Sequence, residues 1–147
     1  MIQIKTFTEK NNPSLSEKEQ ITNFLYTHLE NFGDPKNQIT KAMDYALKET
    51  PSFGGFISVM YTNHDEIVGA VVVNETGMKG YIPENILVYI ATHSAHRGKG
   101  LGKKLMTHAI ETANGAIALH VEPDNPAKYL YEKLGFTNKY LEMRLTK

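Results

Sequence analysis

The sequence predicts an α+β chain in three layers: a mixed, mostly antiparallel sheet flanked by helices on both faces, in the order β-α-α-β-β-β-α-β-α-β. Three observations carry that expectation. Between residues 15 and 48, apolar residues recur twice at helical spacing. Residues 56–61 and 67–73 are apolar stretches joined by a short polar turn, a hairpin pattern. Farther on, a strand that is apolar on both faces leads into an amphipathic helix and then another strand, as in a β-α-β crossover.

Each element has its own grounds. Ile2 and Ile4 alternate with polar residues, and Phe7 falls one step out of register, as in an edge or half-buried strand. Pro13-Ser14-Leu15-Ser16 turns the chain, and Ser16 with Glu19 matches a capping box. Ile21, Phe24, Leu25, His28, Leu29 and Phe32 then line one helical face, which Gly33 ends. A second helix is expected over 35–48 on Ile39, Met43, Ala46 and Leu47, before Pro51 and Gly54-Gly55 break the pattern. The hairpin turn is Thr62-Asn63-His64-Asp65, and the central strand is Ile86-Leu87-Val88-Tyr89-Ile90-Ala91. Leu101, Leu105, Met106, Ala109, Ile110 and Ala113 share a helical face, and 116–121 is expected as a buried strand. A short helix over 125–134 stops at Gly135, where glycine takes the left-handed conformation, and 140–145 is expected as the last strand.

A chain of 147 residues fits one domain, 1–147. With no cysteine, a disulfide, a thiolate nucleophile and a Cys-type zinc site are excluded. No leader pattern opens the sequence and no apolar run approaches the ~20 residues that span a bilayer, so a cytoplasmic protein with no membrane partner is expected. Sixteen basic and sixteen acidic side chains balance, which argues against a broad nucleic-acid surface. The distribution is less even. Arg97, Lys99, Lys103 and Lys104 crowd into eight residues among glycines, and a local basic site in a neutral chain points to a small anion.

That segment, His96-Arg97-Gly98-Lys99-Gly100-Leu101-Gly102-Lys103-Lys104, lies between the central strand and the following helix. Its glycines let the backbone turn tightly and let a ligand approach without Cβ interference. The first amides of a helix lack intrahelical acceptors and carry positive potential, which suits phosphate. The nucleotide-triphosphate loop is excluded, because Arg97 stands where its first Gly belongs and Lys104 where its hydroxyl belongs. The dinucleotide pattern fails too, with Lys103 in place of its third Gly. A glycine-rich loop with a merely solvated basic face is the bland alternative.

Arg97-Gly98-Lys99-Gly100-Leu101-Gly102, preceded by Ile90-Ala91-Thr92, resembles the central motif of the GNAT family of N-acetyltransferases. Ser94 replaces the usual Pro between strand and loop. Downstream, Asn125-Pro126-Ala127-Lys128-Tyr129-Leu130-Tyr131-Glu132-Lys133-Leu134-Gly135-Phe136 resembles the family's other common motif. The resemblance is weak before residue 50 and strong over 84–136. It implies the acyl-CoA N-acyltransferase fold and acetyl-CoA as co-substrate, with no metal. It also implies that the loop from Arg97 through Gly98, Lys99, Gly100, Leu101 and Gly102 to Lys103 holds the diphosphate. Pantetheine then pairs with the backbone of Ile90, Ala91 and Thr92, Asn125 contacts the cofactor, and Tyr131 approaches the sulfur.

Transfer from a thioester to an amine requires loss of an amine proton, a donor for the oxyanion and a proton for the departing thiolate. By resemblance, a backbone N–H around residues 90–92 is the oxyanion donor and Tyr131 the acid. For the base two routes stand: Glu84, thirteen residues before Arg97, or an ordered water. Tyr89 and His120 are secondary candidates, while His93 and His96 flank the loop without metal-ligand spacing. Each has a plainer role as well: Asn125 as a helix cap, Tyr129 and Tyr131 as packing residues, Glu84 as a solvated strand entrance. The implied activity is acetyl transfer from acetyl-CoA to a primary amine of a small molecule or peptide. A non-catalytic acyl-CoA sensor is the alternative. Acceptor choice falls to residues 23–51 and 137–140, which carry no acidic cluster or peptide signature. There Glu30, Asp34 and Asp44 either attract a cation or, as scattered acids usually do, stay solvated. A homodimer through the last strand is a further expectation.

Overall fold

The computed structural model describes residues 2–147. β1 (Gln3–Phe7) forms one edge of a five-stranded sheet whose strands follow chain order: β1, β2 (Gly55–Tyr61), β3 (Ile67–Glu75), β4 (Asn85–Thr92) and β5 (Ile117–Leu119). The first four pair antiparallel, and β5 joins β4 in parallel. Because strand side chains alternate, β2 sends Ile57 and Val59 to one face and Phe56 and Met60 to the other. The valine run of β3 fills both faces at once: Val72 lies on the first, Val71 and Val73 on the second.

Helices α1 (Leu15–His28) and α2 (Lys36–Ala46) cover the first face through Ile21, Leu25, Ile39 and Met43, all fully buried. Helices α3 (Leu101–Thr112) and α4 (Ala127–Lys133) cover the second through Leu105, Met106, Ala109 and Tyr131. Each such aliphatic side chain contributes roughly 1.5–3 kcal/mol by leaving water. A buried polar knot inside the second layer is satisfied. Fully buried Ser58 lies 2.9 Å from Thr6 Oγ1 and 3.1 Å from His108 Nε2, tying α3 to β1 and β2.

The three-layer α+β architecture is the one the sequence predicts, but several elements differ. No strand forms over 140–145: the segment is irregular and exposed, because β5 is only three residues long and its outer edge pairs with nothing among the described residues. β5 is also shorter than 116–121 and half-buried. The capping box is built by Ser14 and Glu17, not Ser16 and Glu19. Ser14 Oγ accepts from Glu17 N at 3.0 Å, while Glu17 Oε1 accepts from Ser14 N at 2.9 Å. Both serines fit the motif; only Ser14 has the extended backbone of a cap. α2 stops at Ala46 as Lys48 turns left-handed with φ 55°, and α4 starts two residues later than expected, after Asn125 and Pro126.

Candidate active site

The site is set by where β5 leaves β4. Their pairing covers only Asn85, Ile86 and Leu87, opposite Ile117, Ala118 and Leu119. Beyond Leu87, β4 runs on to Thr92 bonded to β3 alone, so its other edge is open over 88–92. At the same point β4 carries an extra residue: Val72 pairs with Tyr89 and Val73 with Leu87, leaving Val88 unopposed in a β-bulge. The bulge resets side-chain parity. Val88 and Tyr89 both pack toward α1 and α2, while Leu87 and Ile90 pack toward α3 and α4.

The open edge leads into the glycine loop. A 3-10 turn (Ser94–His96) follows β4, capped by His93 Nδ1, which accepts from Ala95 N at 3.1 Å. Gly98 and Gly100 then take left-handed φ of +83° and +77°, and a Cβ at either would stand in open space. Gly100 is the N-cap of α3, and its carbonyl accepts from Lys104 N at 3.1 Å. The N–H groups of Leu101, Gly102 and Lys103 therefore have no intrahelical acceptor. α4 packs beside Gly102, where a Cβ would lie in van der Waals contact with Leu130 at 3.4 Å. Lys99, Lys103 and Lys104 are exposed and form no ion pair among the described residues. Beside them an open groove of about 400 Å³ is lined by Ile4, Gly100, Lys103, Lys104, Thr107, His108 and the acidic Glu111. The ensemble is a backbone cradle with free positive charge, fit for a diphosphate.

Arg97 is spent elsewhere. Its Nη1 donates to Glu30 Oε2 at 2.8 Å and its Nη2 to the His28 carbonyl at 3.0 Å, at the C-terminal end of α1, where a cation is favourable. His28 stacks at 4.2 Å on His93, and its Nδ1 accepts from Ser94 N at 3.3 Å. Burial, then the charges of His93 and Arg97, hold the His28 imidazole below its usual pKa. The guanidinium thus rivets the loop to α1.

Tyr131, in α4, is buried against Phe136 with ring centroids 6.0 Å apart, in the same layer as Leu87. Burial raises its hydroxyl pKa, and no hydrogen bond engages that hydroxyl among the described residues. Asn125 caps the approach to α4: its Oδ1 accepts from Ala127 N at 3.0 Å. Glu84 lies just before β4, roughly 26 Å along the strand from Thr92 at about 3.3 Å per residue. Its two oxygens accept from Ala116 N at 2.7 Å and Gly80 N at 3.0 Å, and those bonds, Ala116 foremost, lower its pKa. β4, the loop and the start of α3 thus form one continuous surface through Ile90, Ala91, Thr92 and 97–103, with Tyr131 in the same layer and Glu84 at the opposite end of the strand.

From the sequence, Asp34 is one of three scattered acids, with Glu30 and Asp44, that attract a cation or simply stay solvated, and Tyr89 is only a secondary candidate. The two are joined: Tyr89 Oη donates to Asp34 Oδ2 at 2.6 Å. Tyr89 carried a signal as a polar-tipped residue in an otherwise apolar strand.

A family model described as an acetyltransferase (GNAT) domain matches residues 54–138, more than half of the chain, and the chain belongs to that family. Over 106 residues it is 36% identical to the 5-NmdU N-acetyltransferase of Pseudomonas phage PaMx11, covering 71% of this chain and 69% of that protein. It is also 41% identical over 75 residues to the mycothiol acetyltransferase of Corynebacterium glutamicum (strain R), covering 47% of this chain but only 26% of that longer protein. The solved aminoglycoside N-acetyltransferase AAC(6')-Iy in complex with CoA has the same fold, with a TM-score of 0.71 over 100% of this chain and 95% of that one at 13% identity. Among the described residues, no helix is long and apolar enough to cross a membrane.

Proposed function

We propose that the protein transfers the acetyl group of acetyl-CoA to a primary amine. The observation that carries this reading is the open edge of β4 over 88–92, continuous with an amide-rich, lysine-flanked cradle at the start of α3. The cradle amides and Lys99, Lys103 and Lys104 hold the diphosphate, and the backbone of Ile90, Ala91 and Thr92 pairs with the pantetheine arm. Asn125 keeps its side-chain nitrogen for the cofactor while its oxygen caps α4.

The amine nitrogen bonds to the acetyl carbon, and the oxyanion is met by an unpaired N–H of the 88–92 stretch; such a donor is worth about 2.7–4 kcal/mol. The carbon–sulfur bond then breaks with its electrons on sulfur, and Tyr131 gives sulfur a proton that solvent later restores. A buried, un-ionised phenol is suited to that donation. For the proton lost by the amine, the bonding of Glu84 favours the solvent route. A carboxylate already holding two backbone amides acts as a clasp on the β4 entrance. A second copy of the chain is a further partner in this reading, supported by the exposed side chains of Leu141, Met143 and Leu145.

The test is thiol release from acetyl-CoA in the presence of spermidine, phenethylamine, kanamycin, a lysine peptide and 5-NmdU. The last is included because the phage relative is named for it. At least one amine is expected to be acetylated, and Tyr131→Phe is expected to lower kcat on the order of a hundredfold. Acetyl-CoA binding without thiol release from any amine favours the sensor instead.

A further inference from the structure

Asp34 lies between the 3-10 turn (Glu30–Phe32) and α2, at the outer end of the layer formed by α1 and α2. Its carboxylate is exposed, but one of its oxygens is fixed. The hydroxyl of Tyr89 donates to it at 2.6 Å from a ring that is only 8% exposed. That reach depends on the bulge. Were Val88 paired in regular alternation instead of bulging, Tyr89 would turn toward α3 and α4 and away from Asp34. Tyr89 is also the second residue beyond the last β4–β5 pair, so its backbone borders the opening assigned to the thioester.

The charge of Asp34 has no counterpart. Among the described residues no lysine, arginine or histidine lies within ion-pair distance of it. The nearby cations are committed elsewhere, with Lys36 Nζ 5.1 Å from the Tyr26 ring centroid and Arg97 on Glu30. Burial, and then the bond and charge of Asp34, push the Tyr89 phenol well above its ordinary pKa, so it stays a neutral donor and never competes as an anion. The result is a carboxylate held by a neutral group, with lone pairs free toward solvent one tyrosine side chain away from the opening.

We propose that Asp34 binds the acceptor as its ammonium ion, with Tyr89 as the positioning residue, so that the acceptors are primary amines that arrive as cations. This rests on the acetyl-transfer reading and adds what that reading lacks, a group that selects the amine. A carboxylate facing a cation at the mouth of a cleft raises both encounter rate and affinity. A neutral isostere keeps the shape and loses the attraction.

Using whichever amine of the panel above the wild type acetylates, Asp34→Asn is expected to raise the amine KM at least tenfold. The acetyl-CoA Kd and the thermal midpoint should stay unchanged. Asp34→Glu should recover part of the loss. Tyr89→Phe should raise KM about threefold to tenfold, and the double variant should be no worse than Asp34→Asn alone, because the hydroxyl acts only through the carboxylate. An unchanged KM in Asp34→Asn overturns the proposal, as does a parallel loss of acetyl-CoA affinity. If the wild type acetylates no amine at all, the transfer reading falls first and this one with it.

Discussion

Arg97 and Glu84 show how the same residue type serves different ends once its neighbours are known. Both fit a motif by spacing, yet each is bonded to groups distant in sequence: Arg97 to His28 and Glu30, Glu84 to Gly80 and Ala116. Sequence spacing locates such residues, but their partners are brought together only by folding. For the same reason the bond between Asp34 and Tyr89, 55 residues apart, left no trace in the sequence. The clasp at Glu84 makes a prediction with a sign. Its carboxyl is held below the ordinary value near about 4.3, so the bonds stabilise the fold above that pH and are lost as pH falls through the lower, folded value. Glu84→Gln should therefore lower the thermal midpoint at pH 7, with the gap to wild type closing in acid, and leave kcat within about threefold. A hundredfold fall in kcat with an unchanged midpoint would restore Glu84 as the base.

At the scale of elements, the start of α3 does the most for function. Its glycine spacing is legible because a left-handed N-cap and an uncluttered approach both demand glycine, and Gly100 supplies both. Gly100→Ala puts a Cβ into the open space over the proposed diphosphate cradle and forces alanine into left-handed backbone, at a cost of about 1–2 kcal/mol in folding. Acetyl-CoA affinity, measured by titration calorimetry, should fall at least tenfold, more than that modest loss of stability accounts for. The cap of α1 was less legible. Ser14 and Ser16 each precede a glutamate by three residues, and only the backbone torsions decide between them. The bulge in β4 was invisible, since an extra residue in an apolar run changes no pattern of composition.

For the whole molecule, the layering was readable because apolar periodicity reports which face is covered. The last strand was not, because alternation shows that a segment suits a sheet without showing that an edge will take it. Leu141, Met143 and Leu145, each more than four-fifths exposed, leave neighbouring apolar side chains uncovered, the kind of surface that marks association. Sedimentation at tens of micromolar should therefore show a dimer, and Leu141→Asp with Met143→Asp should give a monomer. A wild-type monomer active in acetyl transfer would remove the second copy from the reading. The bulge at Val88 also has a consequence for how this protein tolerates change. It holds one residue in excess of the ladder, so deleting Val88 would restore regular pairing and leave Tyr89 through Thr92 on the faces they now occupy. A single-codon deletion at this position would thus be absorbed by the strand, whereas the same deletion in the regularly paired run would shift its register.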